Sequence, residues 1–543
     1  MELINNDCLV KIFFYFDFQE KIKLELVCRR WLKIIRSYAT HSEMKKINLN
    51  EFVRENCARD LSDENKSAGL IEQKLGGILD RAGPHIREID FNHSWPVISQ
   101  PILENIKEKC FQLTKLEMGW VRINADISPL LEHVAPQLEE FSLEESSWIG
   151  ENSRQNEAKA SQFLPKMHRL RRLNLRKFGG PLDDLVKIEG SQLEYLDVSE
   201  ARQLDADTLF NFLNQSKQLI CLHLCPMPRQ CLQLVAASTT SAINVPTAFL
   251  GFTKQEIRER QRYKEENGNI PLRRPKKGKT ADLQTLIGQI GKMPKLRTLW
   301  LGYIPYTSHF LDISPIGNAT ELKHLHLKEC MSLDGNSLKS MLGGILKDQL
   351  RQLSLLNCQR LEEFSALSLC TCLTQLDIEK SKALNDEALK GLAQHGRLRI
   401  VRINECPKVH DDGILSIVSK CPALKELELI KCSGISCELF SNAKAFSNSD
   451  RFERLSLSGC ETITNNSIKQ LICSIKLNKL QQLDLSQNMN LDDSVLEMLK
   501  GALEKAKNLN RESKLVLTVC CTGTGITRQL ISKYEPLMEI VFY

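Results

Sequence analysis

Apolar positions along most of this chain follow a fixed order, Leu-x-x-Leu-x-Leu, closed three residues later by Cys or Asn. Leu322, Leu325, Leu327 and Cys330 form one copy, and Leu350, Leu353, Leu355 and Cys358 form the next. Leu398, Val401, Ile403 and Cys406 repeat it, as do Leu424, Leu427, Leu429 and Cys432, then Phe452, Leu455, Leu457 and Cys460. Leu480, Leu483 and Leu485 end with Asn488 in the place of the cysteine. The alternation inside each copy predicts a short strand with every second side chain turned inward, and the closing Cys or Asn predicts a turn. Between copies, Asn385 to Leu392 and Asp411 to Val418 carry the three- and four-residue spacing of helices, opened by Asn or Asp residues that can accept hydrogen bonds from free N–H groups. A unit of this size buries its leucines only by stacking on its neighbours.

Looser copies extend the pattern toward the N-terminus. Ile86, Ile89 and Phe91; Leu113, Leu116 and Met118; Leu138, Phe141 and Leu143; Leu170, Leu173 and Leu175; Leu193, Leu196 and Val198; Leu219, Leu222 and Leu224; and Leu296, Leu299 and Leu301 all keep the strand. Met44, Ile47 and Leu49 predict a first strand, Leu517 and Val519 the last clear one, and the apolar tail Ile540, Val541 and Phe542 predicts a cap. The period and the closing residue resemble leucine-rich repeats of the cysteine-containing kind. That resemblance implies an α/β repeat solenoid, a leucine-rich-repeat horseshoe with parallel concave strands and convex helices. The rhythm breaks between Leu224 and Leu296. The expected organisation is therefore a small helical segment at 1–40, repeats at 41–224, a basic and largely irregular insertion at 225–295, and repeats with a cap at 296–543. Asn56 to Ser67 is a second, shorter stretch expected to be irregular.

The first forty residues have a different pattern. Leu9, Ile12, Phe13 and Phe16 share one helical face, and Leu26, Val27 and Trp31 continue after a polar break within Leu26-Val27-Cys28-Arg29-Arg30-Trp31. A segment this short cannot bury a core by itself, so part of its apolar surface needs a neighbour or another protein. Its ordered matches, an Ile-Phe pair, a Tyr-Phe and a Val-Cys-Arg-Arg-Trp run, resemble an F-box. It departs from that family where Asn5 stands in place of the usual Pro and Cys8 takes an aliphatic position; losing the fixed φ of proline is expected to weaken adaptor docking without changing the fold. The resemblance of the whole chain is to F-box and leucine-rich-repeat proteins. It implies a non-catalytic substrate receptor of an SCF-type cullin–RING ubiquitin ligase. On it, Leu9, Ile12, Phe13, Phe16, Leu26, Val27 and Trp31 are the adaptor-facing candidates, with some packing inside the F-box. The implied partners are the Skp adaptor and, through it, the cullin and RING subunits. An interaction scaffold that binds the adaptor without delivering targets is the other reading.

Charge and cysteine usage narrow the classes. The net charge is +6, and the segment from Lys254 to Lys279 alone carries ten Lys or Arg against four Asp or Glu, so the remaining chain is balanced and gives no electrostatic case for nucleic acid. Arg273, Arg274, Lys276, Lys277 and Lys279 form a cluster suited to nuclear import or an acidic partner. The 19 cysteines are dispersed and odd in number, with no Cys-x-x-Cys pair, which favours reduced structural thiols over disulfides or zinc. No apolar run reaches membrane-spanning length and no signal-peptide pattern opens the chain, so the expected setting is cytoplasmic, nuclear or both. Gly278-Lys279-Thr280 lacks the earlier glycine of a phosphate loop, and Gly523-Thr524-Gly525 lacks the third glycine of a dinucleotide fingerprint. No catalytic set, metal site or cofactor is expected.

The residue between the second and third leucine of each copy faces the concave side. Asp90, Glu117, Ser142, Asn174, Asp197 and His223 hold that position in early units; Trp300, His326, Ser354, Asp377, Arg402, Glu428, Ser456 and Asp484 hold it later. An aromatic in this polar row is the natural centre of a binding surface, since aromatics and Arg dominate hot spots. Trp300, Tyr303, His326 and Arg402 are accordingly the target-binding candidates, with Trp120 and the adjacent insertion expected to extend the surface. The target itself is not specified by these residues.

Overall fold

The computed structural model describes residues 5–16, 18–37, 44–51, 64–92, 97–188, 192–227, 282–304, 310–441, 446, 452–475, 477, 479–509, 517–527, 534 and 538–542. They fall into two compact units, the first reaching Leu224 and the second holding Cys225–Met227 and the described residues from 282 onward. The insertion's basic run, Lys254 to Lys279, lies outside the described residues. Its expected C-terminal part does not: Leu283–Ile290 is a helix capped by Asp282, whose side chain accepts from the Thr285 N–H at 2.7 Å. This helix precedes the Thr298–Ile304 strand as the other repeat helices precede theirs, so the second run of repeats begins before residue 296. Glu64–Ala82 is likewise helical in backbone, including residues 64–67 that were expected to be irregular. Among the described residues, no helix is long and apolar enough to cross a membrane.

Each unit is an α/β repeat solenoid. In the first, the strands Lys46–Asn48, Glu88–Asp90, Lys115–Glu117, Glu140–Ser142, Arg172–Asn174, Tyr195–Asp197 and Cys221–Leu224 pair in parallel. Ile98–Ser99, Arg122–Asn124 and Ser147–Trp148 make a small second parallel sheet in the same unit. In the second unit, parallel pairing runs from Thr298–Ile304 through His324–Cys330, Gln352–Leu356, Gln375–Glu379, Ile400–Asn404, Glu426–Ile430, Arg454–Ser456 and Gln482–Asp484 to Leu517–Cys520, and then to Met538–Val541. The apolar tail is therefore a further strand. Register aligns like with like: Leu299, Leu325, Leu353, Leu376, Val401, Leu427 and Leu455 form one buried aliphatic row, which is what the two-residue period of a strand dictates.

Two devices turn the chain at the end of each strand. The residue just before the closing Cys or Asn is left-handed: Glu329, Asn357, Glu405, Lys431 and Gln487 have φ of 51°, 55°, 52°, 52° and 61°, and Gly459 has 66°. Tyr303 and Trp120 occupy the equivalent place in their repeats at 57° and 58°, a conformation uncommon for bulky residues. The closing side chain then reaches back to the previous repeat. The Cys432 and Cys460 thiols each lie 3.2 Å from the carbonyls of Ile403 and Leu429, and the Asn488 amide donates at 2.9 Å to both Leu457 and Leu485. Cysteine is a small hydrophobe with a weak donor, which suits this buried place. Burial pushes the Cys406 and Cys460 thiols up to about 12, which keeps them protonated and unreactive.

Candidate functional site

The N-terminal segment folds as three helices, α1 (Asn6–Phe13), α2 (Phe18–Glu25) and α3 (Arg29–Ser37). Leu9, Phe13, Ile34 and Ile35 are buried together, with Val10, Phe16, Leu24 and Trp31 packed partly buried around them. The Phe13 and Trp31 rings meet edge to face, 5.1 Å apart. This arrangement sorts the adaptor candidates. Leu9 and Phe13 are interior residues that shape the segment and are not available to a partner; Phe16 and Trp31 stand at its margin. Ile12 is 42%, Leu26 84% and Val27 58% exposed. Sequence reasoning missed Phe14 and Tyr15, 38% and 91% exposed at the turn after α1. Their signal was available: residues adjacent to Phe13 in a helix cannot share its inward face. Open apolar side chains thus collect at two corners, the end of α1 and the α2–α3 turn.

Asn5 replaces proline without loss of geometry. Its φ of −69° matches what a proline ring would impose, and its side chain accepts from the Cys8 N–H at 2.8 Å, a cap that proline cannot provide. Asn6 next to it accepts from Arg30 Nε and Nη2 at 3.1 and 2.9 Å, tying α1 to α3.

An ion cluster fastens the F-box-like helices to the helix of the first repeat, α4 (Glu64–Ala82). The Glu25 carboxylate, 2% exposed, accepts from Arg36 Nη2 at 3.0 Å and from Arg81 Nε and Nη2 at 3.0 and 2.9 Å. Burial pushes the Glu25 carboxyl up, but the hydrogen bonds and charges of Arg81 and Arg36 outweigh it and hold the group below the ordinary glutamate value.

On the strand face of the second unit, the row read from the sequence is in register: Trp300, His326, Ser354, Asp377, Arg402, Glu428, Ser456 and Asp484 stand side by side. The Trp300 and His326 rings stack with centroids 3.7 Å apart and planes 10° from parallel. Ser354 Oγ donates to Asp377 Oδ2 at 2.7 Å, so it accepts from His326 Nδ1 at 2.9 Å, which fixes the proton on Nδ1. Arg402 continues the chain, donating to Asp377 Oδ1 at 3.2 Å and Glu426 Oε1 at 2.7 Å, with Glu428 Oε1 3.5 Å away. Burial raises Glu428 to about 7; Arg402 opposes this and neighbouring Glu426 adds to it. Trp300, His326, Ser354, Asp377 and Arg402 line a depression of about 500 Å³, with Leu356 and Glu379 also on its lining; Glu426 and Glu428 stand one strand beyond it.

Trp300, His326 and Arg402 are therefore brought into one network. Tyr303 is not part of the lining; it sits at the left-handed turn with Lys328 Nζ 5.3 Å from its ring centroid. Trp120 belongs to the other unit, about half exposed, with Lys177 Nζ 5.8 Å from its ring centroid. The His326–Ser354–Asp377 order is unsuited to nucleophilic catalysis, which places histidine between serine and the carboxylate. Among the described residues, no group of three or more His, Cys, Asp or Glu could hold a metal ion.

The F-box domain model matches residues 1–42. No relative is found among the curated proteins. Solved structures similar to this chain include the Rad7 and Elc1 complex in yeast, at 16% identity and a TM-score of 0.39 over 72% of this chain and 88% of that one. An internalin (inlF) from Listeria monocytogenes is similar at 15% identity and a TM-score of 0.35, covering 87% of this chain and 93% of that one. The TLR13–ssRNA13 complex is similar at 17% identity and a TM-score of 0.42, covering 83% and 61%.

Proposed function

We propose that this protein is the target-binding subunit of an SCF-type ubiquitin ligase. The F-box at residues 1–42 binds the Skp adaptor through the open corners formed by Ile12, Leu26 and Val27 together with Phe14 and Tyr15, and the adaptor joins the chain to the cullin and RING subunits. The observation that carries this reading is the exposure of these large apolar side chains on a domain whose own small core is already filled by Leu9, Phe13, Ile34 and Ile35. The repeats hold a target protein on the strand face around Trp300, His326 and Arg402, with Tyr303 at its margin. The contribution is proximity: the target's lysines are held at high effective concentration near a ubiquitin-charged enzyme that belongs to other subunits. The work belongs in the cytoplasm or nucleus, and the basic insertion serves import or an acidic partner surface.

Reconstitution tests the reading. The full chain, mixed with adaptor, cullin, RING subunit and the conjugating machinery, is expected to promote ubiquitin transfer to proteins co-captured through the repeats. Adaptor binding without any such transfer would make the chain a scaffold instead.

A further inference from the structure

The strand-face network carries more negative charge than it can neutralise. Asp377, Glu426 and Glu428 all face the single guanidinium of Arg402, which already donates to the first two. Glu379, on the lining of the depression, pairs with Lys380 Nζ at 3.0 Å and keeps about a third of its side chain exposed. At the other end the depression is apolar and aromatic, walled by the Trp300–His326 stack and by Leu356. Burial, with Arg351 and Lys323 nearby, holds His324 on this wall below the usual histidine value. The surface is thus polarised along one line, apolar at Trp300 and acidic at Glu379 and Glu428.

We propose that this depression, with the strand face continuing one strand beyond it to Glu428, receives an extended segment of the target that carries a Lys or Arg at the Glu379–Glu428 end and an apolar side chain at the Trp300–Leu356 end. The inference rests on the reading of the repeats as target-binding and specifies the chemistry of what they bind. From the Trp300 strand to the Glu428 strand there are five inter-strand steps, about 24 Å at ~4.8 Å each, which an extended chain spans in about seven residues at ~3.3 Å per residue. A cation placed against Glu428 and Glu379 supplies the second positive charge that Arg402 alone cannot. Charge complementarity of this kind selects among partners and steers their approach.

The test is selection of a random peptide library displayed on phage against the full chain. Three proteins are compared: wild type, a Glu379→Gln/Glu428→Gln variant that removes charge without removing packing volume, and Trp300→Ala. Peptides selected by wild type are expected to be enriched in Lys or Arg several positions from an aliphatic or aromatic residue. Their affinity should fall about tenfold or more in the Gln variant. Peptides that need Trp300 yet carry no basic residue would overturn this inference while leaving the binding surface in place. Basic peptides that bind all three proteins equally would overturn the surface as well, and an empty selection would count against the inference.

Discussion

Removing the Glu25 carboxylate should release the F-box from the repeats before anything else unfolds. Glu25→Ala leaves Arg81, whose side chain is 17% exposed, without its carboxylate partner, while Arg36, half exposed, turns to water. Breaking a buried ion pair by removing one partner costs about 3–5 kcal/mol, and the exposure of Arg36 places this case near ~3 kcal/mol. The F-box has only a small core to set against that loss. Hydrogen exchange should therefore show α1 to α3 losing protection by about two orders of magnitude, since ~1.4 kcal/mol corresponds to a factor of ten, while the strands of the repeats keep theirs. Replacing Glu25 and Arg81 together by apolar residues should recover much of the protection, because the one charge left without its partner, Arg36, is half exposed and hydrated. The sign with pH also follows. A glutamate held below its unfolded value of ~4.3 adds stability that is fully present above that value and is lost as pH falls through the lower, folded one. Unchanged protection in Glu25→Ala, or a double variant no better than the single, would refute the clasp.

Three further outcomes follow from the same geometry. Asn488→Ala removes the amide donor shared by the Leu457 and Leu485 carbonyls, leaving the first only its longer bond from the Cys460 N–H at 3.4 Å, and should lower unfolding stability by about 1–3 kcal/mol in urea titrations, whereas Asn488→Cys should cost less because a thiol fills this place in the neighbouring repeats. Glu428, raised to about 7, is protonated in the fold and ionised in the unfolded chain between ~4.3 and that value, so stability falls as pH rises across this window; Glu428→Gln should be more stable than wild type at pH 8 and equal to it near pH 4, and equal midpoints at both would contradict the charge surplus. Asn5→Pro keeps φ but loses the Cys8 cap, so the F-box should be destabilised by about 1 kcal/mol; a gain in melting temperature would show that the cap is dispensable.

The repeats were legible because their leucines obey the strand period and their closing residues recur, so the register of Trp300, His326 and Arg402 could be counted before it was seen. Which partners those residues take was not legible. Arg402 meets Glu426 and Asp377 across neighbouring strands, and a residue row records adjacency without saying whether an arginine points to solvent or is held by carboxylates. The F-box shows the same limit. An amphipathic stripe predicts burial of Leu9, Phe13 and Leu26 alike, yet Leu26 lies in a turn where helical spacing no longer applies. The small second sheet escaped notice because its strands, such as Ile98–Ser99, are too short to show alternation. At Asn5 the missing proline was legible and the expected backbone is kept, but the cap on the Cys8 N–H was not legible, because it depends on a side-chain angle.

Adaptor recovery by surface and core variants of the F-box tests the central claim most directly. A charge at Phe13, 1% exposed, would break the F-box interior and report on folding alone, so the informative change is Leu26→Glu with Val27→Glu. Large apolar side chains contribute about 1.5–3 kcal/mol each when covered, so the pair should lower adaptor affinity by two orders of magnitude or more while the melting of the full chain stays at the wild-type value. Loss of co-purification with unchanged melting is the predicted result. Wild-type recovery of the adaptor by this variant would contradict the account.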